Sequence, residues 1–176
     1  MGHRRLFLYA RVRFAPPVPP MALDIIQIQS MLPHRYPFLF IDRVLSWEPE
    51  KSIHARKLVS MSDPILQGHF PGTPIMPGVV QVEAMAQAAV LLAQLSGGFD
   101  PATQLCLFMG IQEAKFRAPV VPGDVLDIEV VALRLGRIGR FSGEIKVEGK
   151  VRSSAKFTAV VETMPGKQPA APAGEG

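Results

Sequence analysis

The sequence has 176 residues, enough for one domain with a sizeable core, and its 48% apolar content is typical of a globular protein. Residues 1–20 hold four arginines and no acid, so 15 basic and 15 acidic residues balance in the rest of the chain. This balance argues against nucleic-acid binding, which needs a clustered basic face. The single cysteine, Cys106, excludes a disulfide framework and a Cys-rich metal site. It lies in an apolar run that predicts a buried, inert thiol, compatible with the cytoplasm.

Residues 1–20 are predicted to be a disordered or spurious Arg-rich leader, with Met21 as the functional start. Arg11 and Arg13 interrupt the apolar run that a secretory signal would need. An organelle transit segment is the competing interpretation. The tail over 165–176 is rich in Pro, Ala and Gly and is predicted to be disordered. A single domain over 21–164 is therefore expected.

The predicted elements begin with a short helix over about 24–31, in which Asp24 is the N-cap and Gln27 completes a capping box. The apolar run 38–41 predicts a buried strand. One long helix over 78–95 follows a loop rich in proline. Together with six strand runs it predicts an α+β fold, an antiparallel sheet wrapped around a long central helix. The strand runs lie near 38–48, 51–60, 105–116, 124–135, 140–148 and 150–163.

The long helix is the segment around which the prediction is organised. Pro77 suits its first turn, and Ser96-Gly97-Gly98 ends it. Its side chains are apolar on nearly every side, so other elements are expected to cover most of it. Glu83 is then predicted to enter a core, where a carboxylate finds partners or stays protonated. The carboxylate and three glutamines also argue for a core helix against a membrane span.

His69 lies 14 residues before Glu83, in a loop that three prolines stiffen. Dehydration of a β-hydroxyacyl thioester needs a base for the proton next to the carbonyl, an acid for the leaving hydroxyl and a donor for the thioester oxygen. An imidazole suits the base, a desolvated carboxyl suits the acid, and the backbone N–H of Gly78 suits the donor. The pair His69 and Glu83 is therefore a candidate acid/base pair.

Simpler interpretations remain open for each of these residues. His69 alone is compatible with a histidine that caps a turn, and Glu83 with a partly solvated or subunit-interface carboxylate. Gln87 lies four residues beyond Glu83 on the same helical face and is expected to bond to it in either case. His34 and His54 have no clustered carboxylates or cysteines beside them in the sequence, so no metal site is predicted.

Three blocks resemble the FabZ family, the 3-hydroxyacyl-acyl-carrier-protein dehydratases of bacterial type II fatty acid synthesis. They are GHFPGTPIMPGVVQVEAMAQAA at 68–89, PHRYPFLFIDRV at 33–44 and AKFRAPVVPGD at 114–124, and the resemblance covers about 23–162. It implies a hot-dog fold, with dimers that assemble into a homohexamer as a trimer of dimers. It implies His69 and Glu83 as catalytic residues, each active site taking one from each subunit. Gly78 matches the amide that polarises the carbonyl, and the backbone carbonyl of Ile75 matches the group that orients the histidine.

The resemblance also implies the partner and the substrate path. The substrate arrives on acyl carrier protein, its acyl chain fills an apolar tunnel between subunits, and no metal or organic cofactor is implied. Many members carry tyrosine at the position of Leu107, so a tyrosine gate is not expected here. The candidates for the tunnel are Pro71, Leu107, Phe108 and Phe116, and those for carrier docking are Lys115, Arg117, Arg137 and Arg140.

Other functions on the same fold are the alternatives to this one. A hot-dog thioesterase places a carboxylate near the central helix but does not need His69. A non-catalytic acyl-thioester sensor usually carries a DNA-binding module, and a leader of 20 residues is too short for one. The sister FabA-type dehydratase/isomerase has aspartate at the helix position, so Glu83 favours the non-isomerising type.

Overall fold

The computed structural model describes residues 23–167, so the predictions for residues 1–20 and for the tail beyond residue 167 lie outside the described part. Within these residues, two α-helices and six strands follow one another, with one 3-10 turn, Pro64–Leu66, before the long helix. The elements are α1 (Ile25–Met31), β1 (Arg43–Glu48), β2 (Ser52–Leu58), α2 (Gly78–Leu95), β3 (Gln104–Phe116), β4 (Val125–Arg134), β5 (Ile138–Val147) and β6 (Lys150–Thr163).

The six strands form one antiparallel sheet in the order β1-β2-β4-β5-β6-β3. Side chains alternate along each strand, so one face of the sheet is buried and the other carries most of the charges. Leu126, Ile128 and Val130 of β4, for example, are fully buried. Helix α2 packs on this buried face, and the predicted α+β architecture is confirmed.

Helix α2 lies close against the sheet because small residues allow it. A methyl group placed on Gly143 of β5 would lie 2.9 Å from Met85 Sδ. Leu91 and Leu92 have no exposed surface, and burying such a side chain contributes about 1.5–3 kcal/mol. The helix is long and apolar enough to cross a membrane, yet 56% of it is buried inside the fold. It is the core helix that the sequence predicts.

The first helix is also confirmed with its cap. The Asp24 carboxylate accepts the Gln27 N–H at 2.9 Å, and Gln27 Oε1 accepts the Asp24 N–H at 2.9 Å. Both halves of the capping box are therefore present.

The predicted strand at 38–41 is wrong, because this segment bonds to a side chain and not to a neighbouring strand. The N–H of Phe40 donates to Gln87 Oε1 at 2.8 Å, and Gln87 Nε2 donates to the carbonyl of Phe38 at 2.9 Å. Gln87 itself has no exposed surface. The buried amide of α2 thus replaces the strand partner, and β1 starts only at Arg43.

Strand β3 is an edge of the sheet and pairs only with β6. It is 13 residues long and leaves large apolar side chains uncovered, including Leu107 at 48% and Phe108 at 42% exposure. A long apolar edge strand usually has a partner, because unpaired backbone groups and apolar surface invite pairing with another chain.

Candidate active site

The His69 loop fixes the protonation pattern of the imidazole. His69 Nδ1 lies 2.8 Å from the carbonyl oxygen of Ile75. A carbonyl oxygen can only accept a hydrogen bond, so in the neutral imidazole Nδ1 carries the proton and Nε2 keeps its lone pair. The N–H of Ile75 donates back to the carbonyl of His69 at 2.9 Å, and the N–H of Met76 donates to Val120 at 2.8 Å. These bonds hold the ring with Nε2 as a hydrogen-bond acceptor.

The His69 cavity has a volume of about 540 Å³ and lies at the N-terminus of α2. Helix α2 starts at Gly78, where no side chain caps the first turn. The amides of Gly78 and Val79 therefore have no intrahelical acceptor, and the helix dipole places partial positive charge there. The lining of the His69 cavity includes His69, Ile75, Gly78, Phe116 and Arg117.

Glu83 lies at a second cavity, and 18% of its side chain is exposed. Burial raises the pKa of its carboxyl group, and the hydrogen bond from Gln87 Nε2 to Oε1, at 2.9 Å, partly offsets this rise. His34 Nε2 lies 3.6 Å from the same oxygen. A carboxyl with a raised pKa keeps its proton to higher pH, which is what a proton donor requires.

The Glu83 cavity has a volume of about 220 Å³ and an apolar wall. Cys106 is part of this wall, and burial raises the pKa of its thiol to about 11. The thiol is therefore uncharged at neutral pH. The sequence predicts a buried, inert thiol, and Cys106 is half-buried. The wall includes Phe38, Cys106, Leu107, Phe108, Phe141 and Phe157.

Within one chain, His69 and Glu83 line different cavities. Gly78 and Glu83 are five residues apart on α2, which places them about 140° apart around the helix axis. The structure of one chain therefore does not bring the base candidate and the acid candidate together.

The predicted tunnel residues divide between the two cavities. Leu107 and Phe108 line the Glu83 cavity, and Phe116 lines the His69 cavity. Pro71 is exposed in the loop and lines neither of them.

The four basic candidates for docking also do not lie together. Lys115 and Arg117 line one charged depression, and Arg117 donates to Ser154 Oγ at 2.9 Å. Arg140 pairs with Thr158 of β6. Thr158 lies four residues beyond Ser154 on this strand, a distance of about 13 Å. Arg137 lies beyond it, in an ion pair with Glu162 at 3.1 Å.

His34 is a site residue that the sequence reasoning missed. It has no carboxylate near it in the sequence, but the fold brings it to Glu83, 49 residues later. The signal in the sequence was the block at 33–44, one of the three that resemble the family. Among residues 23–167, no group of three His, Cys, Asp or Glu side chains is placed to hold a metal ion.

The FabA-like domain family matches residues 32–156 of the chain. A 3-hydroxyacyl-acyl-carrier-protein dehydratase FabZ from Erythrobacter litoralis is 50% identical over 143 residues, 81% of this chain and 95% of the relative. The FabZ of Aliivibrio fischeri is 52% identical over 77% of this chain and 91% of its own length.

Solved structures agree on the fold. The dehydratase heterocomplex ApeI:P from Xenorhabdus doucetiae superposes with a TM-score of 0.64 at 25% identity, over 76% of this chain and 89% of the other. A mutant thioesterase from Pseudomonas aeruginosa gives 0.60 at 16% identity, over 81% of this chain and 96% of the other, and so shows the fold alone. The hot-dog prediction is confirmed. Because one relative is 50% identical over 81% of this chain and 95% of its own length, the chain belongs to the FabZ dehydratases of the FabA-like family.

Proposed function

We propose that the protein removes water from (3R)-3-hydroxyacyl chains bound to acyl carrier protein and forms the trans-2-enoyl thioester of fatty acid synthesis. The observation that carries the proposal is the bond from His69 Nδ1 to Ile75, which leaves Nε2 free as a base beside the open N-terminus of α2. This arrangement is what proton abstraction next to a thioester carbonyl needs. The reducing cytoplasm, where acyl carrier protein works as a soluble partner, is the proposed location.

In the proposed reaction His69 Nε2 takes the proton from C2 of the substrate. The electron pair of that C–H bond becomes the second bond between C2 and C3. The C3–O bond breaks, and the hydroxyl leaves as water with the proton of Glu83. The N–H of Gly78 holds the thioester oxygen while negative charge develops on it. Glu83 regains a proton, and His69 loses one, through solvent before the next turnover.

We infer that each complete site takes His69 from one subunit and Glu83 from another. Two facts of the single chain support this: the residues line different cavities, and β3 leaves an apolar edge uncovered beside the Glu83 cavity. Pairing of two β3 edges would cover Leu107 and Phe108 and is the expected dimer contact. The homohexamer, as a trimer of such dimers, stays part of the proposal.

The acyl chain is proposed to occupy the apolar Glu83 cavity. Leu107 and Phe108 lie in its wall, and Phe116 lies against Gly78 at the other cavity. Pro71 is proposed at the mouth of the tunnel, since it is in the exposed part of the His69 loop. Many members of the family carry tyrosine at the position of Leu107. With leucine there, the neighbouring Phe108 has the larger side chain of the two in the wall of the cavity.

Changing Gly78 to alanine is expected to lower kcat/KM by about 100-fold, because it places a methyl group where the thioester oxygen must approach the amide. A Cβ at this position would also lie 2.7 Å from Cε1 of Phe116. Phe116 is 53% exposed and can turn away, so the melting temperature should change little. The double variant G78A/F116A separates the two effects. Recovery of activity in the double variant would show that Phe116, and not the thioester, is what the methyl group obstructs.

Carrier docking is proposed to depend first on Lys115 and Arg117, since Arg117 lines the His69 cavity and both line the adjoining depression. Replacing Arg117 by glutamate is expected to lower kcat/KM for the carrier-bound substrate about tenfold at low salt, and less at high salt. The same variant should act normally on a short thioester without the carrier.

Two matched charge reversals accompany this test. Lys51→Glu, in the β1–β2 hairpin at the opposite edge of the sheet, should leave both substrates unaffected. Arg137→Glu measures whether the docking surface extends to Arg137 and Arg140. Equal losses on both substrates in the Arg117 variant would contradict a docking role.

The reaction itself is tested with a 3-hydroxybutyryl thioester on acyl carrier protein, followed by the ultraviolet absorbance of the conjugated enoyl thioester. A rising signal supports the dehydratase. Release of free thiol without that signal would indicate a thioesterase, and binding without turnover would indicate a sensor.

A further inference from the structure

The two oxygens of the Glu83 carboxyl group have different surroundings. Oε1 receives the N–H of Gln87 at 2.9 Å and has His34 Nε2 at 3.6 Å. Within residues 23–167, no side chain or backbone group is found in hydrogen-bond contact with Oε2. The proposed acid is therefore held by one oxygen only.

The imidazole of His34 is held in place by its own loop. Its ring stacks on Phe38 with centroids 6.4 Å apart and 28° between the planes. The guanidinium of Arg35 donates to the carbonyls of Leu32 and His34, both at 2.7 Å, and so anchors the backbone next to the ring. Since Phe38 also bonds to Gln87, the two neighbours of Glu83 Oε1 belong to one connected network.

The protonation state of His34 follows from its burial. Desolvation, followed by the charge of Arg35, lowers the pKa of the imidazole, so it is neutral at neutral pH. Nδ1 is buried and has no hydrogen-bond partner among the described residues. An unused buried lone pair costs less than an unpaired buried N–H, so the proton is assigned to Nε2. The N–H then faces Oε1 of Glu83.

We infer that His34 is a positioning residue for Glu83: Gln87 bonds to Oε1, and the N–H of His34, 3.6 Å away and just beyond hydrogen-bond length, faces the same oxygen and leaves Oε2 to carry the proton that protonates the leaving hydroxyl. The inference rests on the proposed dehydratase function. His34 acts on the carboxyl group and not on the substrate. The negative charge on Glu83 after the proton has left draws this N–H closer, and a donor to the charged form favours that form.

The test compares two variants that separate the ring from its N–H. His34→Phe keeps a ring to stack on Phe38 but has no N–H, whereas His34→Gln keeps an amide N–H at a similar distance from the backbone. His34→Phe is expected to lower kcat about tenfold with little change in KM, since the substrate contacts remain. The high-pH limb of its kcat profile, where Glu83 loses its proton, should move to higher pH. His34→Gln should restore both quantities to nearly the wild-type values.

His54→Phe is the matched control, since His54 lies on the charged face of the sheet and pairs with Asp127 at 3.2 Å. It should leave kcat and the pH profile unchanged. The inference is overturned if His34→Phe keeps the wild-type kcat and profile, or if its kcat falls while the high-pH limb stays in place. If His34→Phe does not fold, His34→Leu, which also lacks the N–H, takes its place: a limb displaced to higher pH supports the inference, and a wild-type limb overturns it. An inactive wild-type protein would instead reject the proposed function.

Discussion

Replacement of Glu83 by glutamine is expected to lower kcat by about 10³-fold, because an amide of the same shape cannot deliver a proton to the leaving hydroxyl. This corresponds to roughly 4 kcal/mol of transition-state stabilisation. Substrate binding should change little, since the substitution keeps the volume of the side chain. Turnover of the carrier-bound 3-hydroxybutyryl thioester, measured by enoyl absorbance, gives kcat and KM for both proteins.

The wild-type pH profile provides a second measurement for the same residue. Burial raises the pKa of Glu83, so the acid form persists above the usual range of a glutamate, and kcat should fall only as the pH rises through that raised value. Glu144→Gln, a change of the same kind on a side chain 45% exposed, should keep the wild-type rate and profile. If the Glu83→Gln enzyme keeps roughly a tenth or more of the wild-type kcat, Glu83 is not the acid of the reaction.

Two inactive variants are expected to restore activity when they are produced together in one cell. His69→Asn removes the free Nε2 but keeps an amide that can donate to Ile75, and Glu83→Gln removes the acid. If each site takes one residue from each subunit, a mixed dimer contains one intact site and one doubly altered site. Equal production and random pairing should then give about one quarter of the wild-type activity per subunit.

The control for this prediction is the double variant His69→Asn/Glu83→Gln produced with either single variant. No mixed dimer of that kind contains an intact site, so activity should stay at the level of the single variants. Lack of recovery in the original mixture, with mixed dimers demonstrated by differently tagged chains, would place both residues of a site in the same chain.

The sequence predicted the parts of the site that depend on local patterns. The nearly uniform apolar composition of α2 indicated a core helix, and its burial in the sheet agrees. The capping box at Asp24 and Gln27 involves residues three apart, so its chemistry could be read directly. The contact between His69 and Ile75, six residues apart, was instead implied by the resemblance of the block at 68–89 to the family.

The errors and omissions concern contacts between distant segments. The run at 38–41 has the composition of a strand, but the buried Gln87 supplies its backbone partners from 47 and 49 residues away. His34 lies beside Glu83, which is 49 residues later in the chain. No local pattern contains such a contact, because it depends on where the loop crosses the helix.

The position of β3 was equally beyond a local analysis. Its sequence predicts a strand, but only the folded sheet shows that β3 lies at an edge beside the last strand. The exposure of Leu107 and Phe108, and with it the proposed subunit contact, follows from that order.

The amide of Gln87 has a consequence for inhibitor design. Its three hydrogen bonds tie the segment of Phe38 and Phe40 to the Glu83 carboxyl group, so displacement of that segment would pull on the acid. A compound that displaces this segment is therefore expected to lower activity without imitating any part of the acyl chain. Substitution of Gln87 would not give a resistant, active enzyme, because it would also remove the hydrogen bond to the Glu83 carboxyl group.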